Sequence, residues 1–245
     1  MKDLYKAARA LYLEAFEGES PAFADALFAM GFPQHLLAIG DHGKLVSMLF
    51  ALPYPIVTEK GPCEAYYVYA VATAREYRGR GYAKRLLSEV ASRGKPVFLR
   101  PMSPSLFRFY ESAGFTPFSP HGECEGKARV GEVALPFSHL TPEDYLAARD
   151  ALLCAPYCRM THDFLSLAFR GGGAVGLDTR FAALFERHGD TVLFKECLGD
   201  RSLLPDAAAF LGASRYHARF PAGDGAPFGV GIDVPEGCTF LAALD

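Results

Sequence analysis

The sequence predicts a mixed α/β (α+β) protein, a central mixed sheet flanked by helices and followed by a second domain of similar element order. Three observations carry this reading. The apolar run Tyr66 to Val71 leads into the glycine turn Arg78-Gly79-Arg80-Gly81. Ala83, Leu86, Leu87, Val90 and Ala91 then recur at helical spacing, so the stretch reads strand, loop, helix. Short apolar runs on either side of Gly40-Asp41-His42-Gly43 and of Arg187-His188-Gly189-Asp190 read as hairpins. The order helices, hairpin, helix, strand then returns after residue 140.

Composition bounds the rest. A chain of 245 residues, half of them apolar and 22% charged, can bury a sizeable core as one large domain or two modest ones. A net charge of −3 argues against general nucleic-acid binding. The stretch from Met1 to Lys6 carries charges through its first turn and has no signal-peptide core, and no apolar run is long enough to span a bilayer. The expectation is a cytoplasmic protein without membrane association. Six scattered cysteines do not suggest a disulfide scaffold. Cys154, Cys158 and His162 would share one helix face at i, i+4 and i+8, but Pro156 disturbs that geometry and no fourth ligand is evident, so no metal is expected.

Taken in order, Leu4, Ala8, Leu11, Tyr12 and Ala15 form one face of a first helix that ends near Phe16. Ser20-Pro21 starts a second, which Gly31 stops. Between them Glu14 to Glu19 is acidic, which would suit a cationic amine, though such loops are more often merely solvated. Strands are expected at 35–39 and 44–51, with the central strand over 64–73 and a short buried strand over 96–100. Ser103 and Pro104 then open a helix carrying Leu106, Phe109, Tyr110 and Ala113 on one face, and Gly114 closes it. A loop is expected over 116–122 and an alternating strand over 129–135.

The loop at Arg78 is an anion site by its physics. Two glycines let the backbone approach a ligand, and the first N–H groups of the following helix have no partner within it. Five bases (Arg75, Arg78, Arg80, Lys84, Arg85) and one acid, Glu76, lie between residues 75 and 85. The Gly-Lys-Ser/Thr ending of a nucleotide-triphosphate loop is missing, and Lys84 replaces the third small residue of a dinucleotide fingerprint. Arg78-x-x-Gly81-x-Ala83 resembles the pyrophosphate loop of the GCN5-related N-acetyltransferase (GNAT) family. Phe109-Tyr110-Glu111-Ser112-Ala113-Gly114-Phe115 resembles that family's second motif, in the right order and at the right spacing. The resemblance covers roughly the first 136 residues.

It implies an acetyltransferase that uses acetyl-CoA as co-substrate, without metal, and passes the acetyl group to a primary amine by direct attack. Arg78, Gly79, Arg80, Gly81, Tyr82 and Ala83 would hold the phosphates, and the backbone of Val71, Ala72 and Thr73 the pantetheine arm. Counting in alternation from Val71, Tyr69 and Tyr67 point the same way, toward the acceptor. Tyr110 would protonate the departing thiolate. Many relatives carry a carboxylate near Tyr67 as base. Here Glu64 has the opposite parity, which leaves the base open. The acceptor is a small molecule or a peptide, and homo-oligomerisation also stays open. A non-catalytic acyl-CoA sensor or partner-binding module is the rival reading.

The boundary is expected near residue 138, giving domains 1–138 and 139–245. Thr141-Pro142-Glu143-Asp144 begins a helix that extends through Ala155, and Phe164, Leu165 and Ala168 mark another. Gly171-Gly172-Gly173 is expected to be a flexible connection, since a helix C-terminus repels anions. The hairpin 181–198, a helix over 204–211 and strands at 215–220, 228–233 and 239–244 follow. Only Gly199 to Leu203 separates the hairpin from its helix, against about ten residues in the first half. The second half therefore resembles a degenerate GNAT domain without the cofactor loop, binding no CoA.

Overall fold

The computed structural model describes residues 2–243. The chain opens with α1 (Lys2–Ala15), whose Ala8, Leu11 and Tyr12 are buried as their spacing predicts. In α2 (Pro21–Ala29), Ser20 Oγ accepts the Phe23 N–H at 3.1 Å, and Gly31 turns left-handed beyond the other end. A 3-10 turn, Phe32–His35, leads to β1 (Leu36–Asp41), and β2 (Lys44–Pro53) returns antiparallel to it. Two short strands unforeseen from sequence follow, β3 (Ile56–Thr58) and β4 (Gly61–Cys63). Then come β5 (Tyr66–Thr73), α3 (Tyr82–Ala91), β6 (Val97–Leu99) and α4 (Pro104–Glu111). The remaining strands and helices are β7 (Thr116–Lys127), β8 (Ser138–Leu140), α5 (Pro142–Leu152), β9 (Tyr157–Cys158), α6 (His162–Ala168), β10 (Gly172–Leu177), β11 (Phe181–His188), β12 (Thr191–Gly199), α7 (Leu204–Phe210), β13 (Arg215–Pro221) and β14 (Ala226–Ile232).

The chain divides into two compact units. The first holds residues up to Pro55, Cys63–Thr116 and Val230–Val234; the second holds Ile56–Pro62, Pro117–Gly229 and the chain from Pro235 on. The division does not follow a single cut near residue 138, because strand pairing is not sequential. In the second unit β7 pairs antiparallel with β13, from Pro221↔His121 to Arg215↔Lys127. In the first unit the end of β14 pairs antiparallel with β6.

Within the first unit β1, β2 and β5 are antiparallel neighbours and β6 joins β5 in parallel. Leu49, Val68, Leu86, Leu87, Val90, Val97, Tyr110 and Phe115 build its core. Within the second unit β10, β11 and β12 are antiparallel and β13 joins β12 in parallel. Val175, Phe181, Phe194, Leu204 and Ala207 lie in its core. In the second half α5, α6, the β11–β12 hairpin, α7, β13 and β14 follow the order expected from sequence, whereas β8, β9 and β10 are additions to it.

Other expectations are corrected. Residues 116–122 are strand, not loop: the β13 ladder begins at His121, just beyond Pro120, so neither Pro117 nor Pro120 interrupts it. Residues 129–135 are irregular; Val133 and Leu135 pack singly against the second core, which mimics alternation. α5 ends at Leu152 and Cys158 lies in β9, so Cys154, Cys158 and His162 do not share a helix face. Gly172 is in β10, where a Cβ would lie 1.8 Å from the Phe185 carbonyl oxygen. These glycines allow close strand approach rather than flexibility. The expected strand at 239–244 is reduced to one bridge, Thr239 with Tyr157, and its last residue, Leu244, lies outside the described residues.

Candidate active site

The site is built around β5. Met48 pairs with Ala72 but Phe50 pairs with Tyr69, so β5 holds one extra residue there, and Ala70 takes φ +53°. This is a β-bulge, and it reverses the alternation of side chains along the strand. Tyr67 and Tyr69 share a face, their rings stacked at 6.2 Å. Val71, beyond the bulge, packs instead against the core formed with Leu86, Leu87 and Val90. The sequence count that put Val71 on the face of the two tyrosines therefore fails at the bulge.

Pairing of β5 with β6 runs Tyr66↔Val97 and Tyr67↔Phe98. Since β6 stops at Leu99, the stretch Tyr69–Thr73 runs past its end. Ser47 Oγ donates to the Ala72 carbonyl at 3.0 Å, and the Thr73 carbonyl accepts Arg78 Nε at 3.0 Å. The strand edge and the glycine turn are thereby tied together.

Beyond a 3-10 turn at Arg75–Tyr77, Gly79 and Gly81 take φ +76° and +79°, values that L side chains rarely adopt. A Cβ added at either would meet nothing within 4 Å, so the turn opens onto space. Arg85 N–H bonds the Gly81 carbonyl at 3.0 Å, the first helical bond of α3. The amides of Tyr82, Ala83 and Lys84 are the unsatisfied first-turn donors. Arg78, Arg80, Lys84 and Arg85 are exposed around them. Arg80 lies 5.0 Å over the Tyr77 ring, and Lys84 Nζ reaches the Ser112 carbonyl at 3.2 Å. Arg75 is engaged otherwise: its guanidinium pairs with Glu17 at 3.1 Å and its N–H bonds Glu14 Oε1 at 3.2 Å. Glu14, at the end of α1, and Glu17, just beyond it, thus serve the loop rather than an amine. Open backbone, amide donors and cations fit a diphosphate.

Tyr110 is buried, packed against Phe109 and Phe115 at 5.1 and 5.9 Å, and burial pushes its phenol up to about 12. It belongs to the same core as Val68 and Leu86, so it does not share the β5 face of Tyr67 and Tyr69. Glu64 precedes β5 and pairs with Lys95, whose hydrogen bond holds its carboxyl below the usual range.

Sequence reasoning missed Tyr12. It reads there as one more apolar position of α1, but its hydroxyl meets that of Tyr69 at 2.9 Å, and both rings are buried. The available signal was chemical: a tyrosine in a fully apolar stripe brings a hydroxyl that needs a partner. Burial raises both phenols, and the negative charge of Glu19 adds to the rise.

Among the described residues no cluster of His, Cys, Asp or Glu is arranged to hold a metal, and no helix is long and apolar enough to cross a membrane. Residues 2–118 match the family model described as an acetyltransferase (GNAT) domain. No curated protein matches the chain. Among solved structures the chain is similar to a GCN5-related N-acetyltransferase from Anabaena variabilis, with TM-score 0.70 and 14% identity over 94% of this chain and 70% of that one. It is similar to another GCN5-related N-acetyltransferase, from Kribbella flavida, with TM-score 0.67 and 11% identity over 92% and 67%. Eis1 from Mycobacterium abscessus gives TM-score 0.64 and 13% identity over 91% and 65%. At such identities the likeness is one of fold.

Proposed function

We propose that the chain, whose residues 2–118 match the acetyltransferase (GNAT) domain model, transfers acetyl from acetyl-CoA to the primary amine of a small molecule or peptide. The observation that carries the reading is the open turn at Gly79 and Gly81, set at the start of α3 among Arg78, Arg80 and Lys84. First-turn amides of α3 and these cations hold the diphosphate. The edge of β5 from Val71 to Thr73, which runs past β6, takes the pantetheine arm. When bound, acetyl-CoA supplies an acyl group activated as a thioester. A backbone N–H of this edge donates to the thioester oxygen, where charge develops in the transition state.

Tyr67 and Tyr69 line the acceptor side. Tyr110 would be the group that meets the charge developing on the departing thiolate. With its phenol near 12 and a free thiol near ~8.5, complete proton transfer is uphill. Tyr110 therefore works by donating a hydrogen bond as charge grows on sulfur, and solvent completes the protonation. Burial has moved it away from the closer match that an ordinary phenol would give.

The second unit carries no cofactor in this reading. After β12 the Asp200 carboxylate accepts the N–H and hydroxyl of Ser202, at 2.9 and 2.7 Å, so the chain's own acid occupies the donors a phosphate would need. Asp206, in the first turn of α7, is buried and pairs with Arg129. The unit is read as a degenerate copy of the first.

Thiol release from acetyl-CoA, followed with a polyamine, an aminoglycoside, an amino acid and a peptide N-terminus, tests the proposal. Turnover with one class is expected. Tight binding without turnover of any amine would favour an acyl-CoA sensor.

A further inference from the structure

One face of the β7–β13 ladder in the second unit carries three charged rungs. Glu123 lies opposite Arg219 and Glu125 opposite His217, an acid facing a base each time, at 3.2 and 3.5 Å. The end rung breaks this pattern, because Lys127 lies opposite Arg215. Directly opposed residues of an antiparallel pair hold their Cβ atoms about 5 Å apart, and like charges so placed repel. Both side chains are exposed, and neither has a hydrogen bond or an acidic partner among the described residues. A rung of one sign calls for a counter-charge from outside the chain.

The rung opens onto a groove of about 430 Å³, lined also by Ala128, Arg129, Val130 and Ala213. Val130, 98% exposed, gives it an apolar rim. The other charges around the groove are already matched. Arg129 donates through Nε and Nη2 to the buried carboxylate of Asp206. Asp190, in the turn before β12, accepts the N–H and hydroxyl of Ser214. Arg187 donates to the Leu211 and Gly212 carbonyls at 2.8 and 2.9 Å, which offsets the negative end of α7. The charge left without a partner is that of Lys127 and Arg215.

We propose that Lys127 and Arg215 form an anion site that takes the phosphate group of a compact small molecule, whose apolar part lies on Ala128 and Val130. The inference stands apart from the acetyl-transfer reading. A phosphate monoester carries about −1.5 to −2 charges at pH 7, which matches the two cations. The Arg215 guanidinium offers a planar fork for two phosphate oxygens, and Lys127 a point charge. The same ladder sets the ligand's length. Beyond this rung the face presents Glu125 and then Glu123, so a nucleic acid or an acidic peptide running along β7 meets repulsion, whereas a compact anion does not.

The test uses the full chain and inorganic phosphate, with sodium chloride at matched ionic strength as the control. The Arg78–Ala83 loop also offers phosphate donors, so calorimetric titrations are run on the parent and on Gly81→Val, in which that loop is blocked. Gly81→Val should still bind one phosphate. Adding Lys127→Gln or Arg215→Gln to it should weaken that binding roughly tenfold or more. In the parent chain the same substitutions should remove one of the phosphates bound. Thermal melts give a second readout of opposite sign. In phosphate-free buffer of low ionic strength, Lys127→Gln should melt at or above the parent, because repulsion across the rung is relieved. With phosphate, the parent should gain more than it does with chloride, and Lys127→Gln should gain less than the parent. Phosphate binding that Gly81→Val abolishes, or that neither Lys127→Gln nor Arg215→Gln weakens, overturns the proposal. So does a parent that phosphate stabilises no more than chloride, or a Lys127→Gln chain that melts below the parent in the absence of phosphate.

Discussion

Arg149 and Glu196 form a buried ion pair inside the second unit, Nε to Oε2 at 2.7 Å and Nη2 to Oε1 at 3.1 Å, with side chains 1% and 0% exposed. All three guanidinium nitrogens are hydrogen-bonded. Arg149 Nη1 donates to the Cys158 carbonyl at 2.8 Å, and the Tyr145 hydroxyl donates to Glu196 Oε2 at 2.6 Å. The pair joins α5 to β12 and, through Cys158, to β9. Removing one partner strands the other charge in a dry site. Arg149→Ala should cost about 3–5 kcal/mol of unfolding free energy, measured by urea denaturation. A loss under about 1 kcal/mol would show that the pair is dispensable.

Tyr110→Phe removes one hydroxyl and leaves the ring among Phe109, Phe115 and the core. Fold and acetyl-CoA affinity should be kept, while kcat falls roughly 10²-fold. Steady-state kinetics with the best amine of the panel checks this. Unchanged kcat would reduce Tyr110 to a packing residue.

Alkaline pH should unfold the protein through its buried phenols. Burial raises Tyr12, Tyr69 and Tyr110 above the ordinary value near ~10, the last to about 12. The unfolded chain therefore ionises them first. Their stabilising contribution is complete below pH ~10 and is lost as pH rises through the folded values. For Tyr110 the loss between about pH 10 and 12 is about 3 kcal/mol. Melting temperatures followed from pH 8 to 11.5 should fall above pH 10, and less steeply in Tyr110→Phe. Equal slopes in parent and variant would contradict the burial argument.

Most of the elements were legible because their signals are local. Ser20, Gly31, Gly81 and Thr141 cap helices within a few residues of themselves, and Leu86, Leu87 and Val90 show their buried face by spacing alone. What sequence could not show depends on distant partners. β7 is a strand because β13, about ninety residues later in the chain, pairs with it; locally, Pro117 and Pro120 spell loop. The bulge at Ala70 exists because β2 imposes a register, and a single-residue slip moves Val71 to the other face. The Tyr12–Tyr69 contact spans two elements that no periodicity relates. The loop Arg78–Ala83, by contrast, carries its chemistry in a few consecutive residues, and the structure displays the same residues as an open, cationic helix start.

That loop is the centre of the account, and titration calorimetry with acetyl-CoA tests it most directly. The parent chain should bind one acetyl-CoA, with none in the second unit. Gly81→Val should abolish binding while the circular-dichroism spectrum stays that of the parent. At φ +79° a branched side chain is strained, and it would fill the open space above the first-turn amides. An unchanged dissociation constant in Gly81→Val, or a second acetyl-CoA bound per chain, would contradict the assignment.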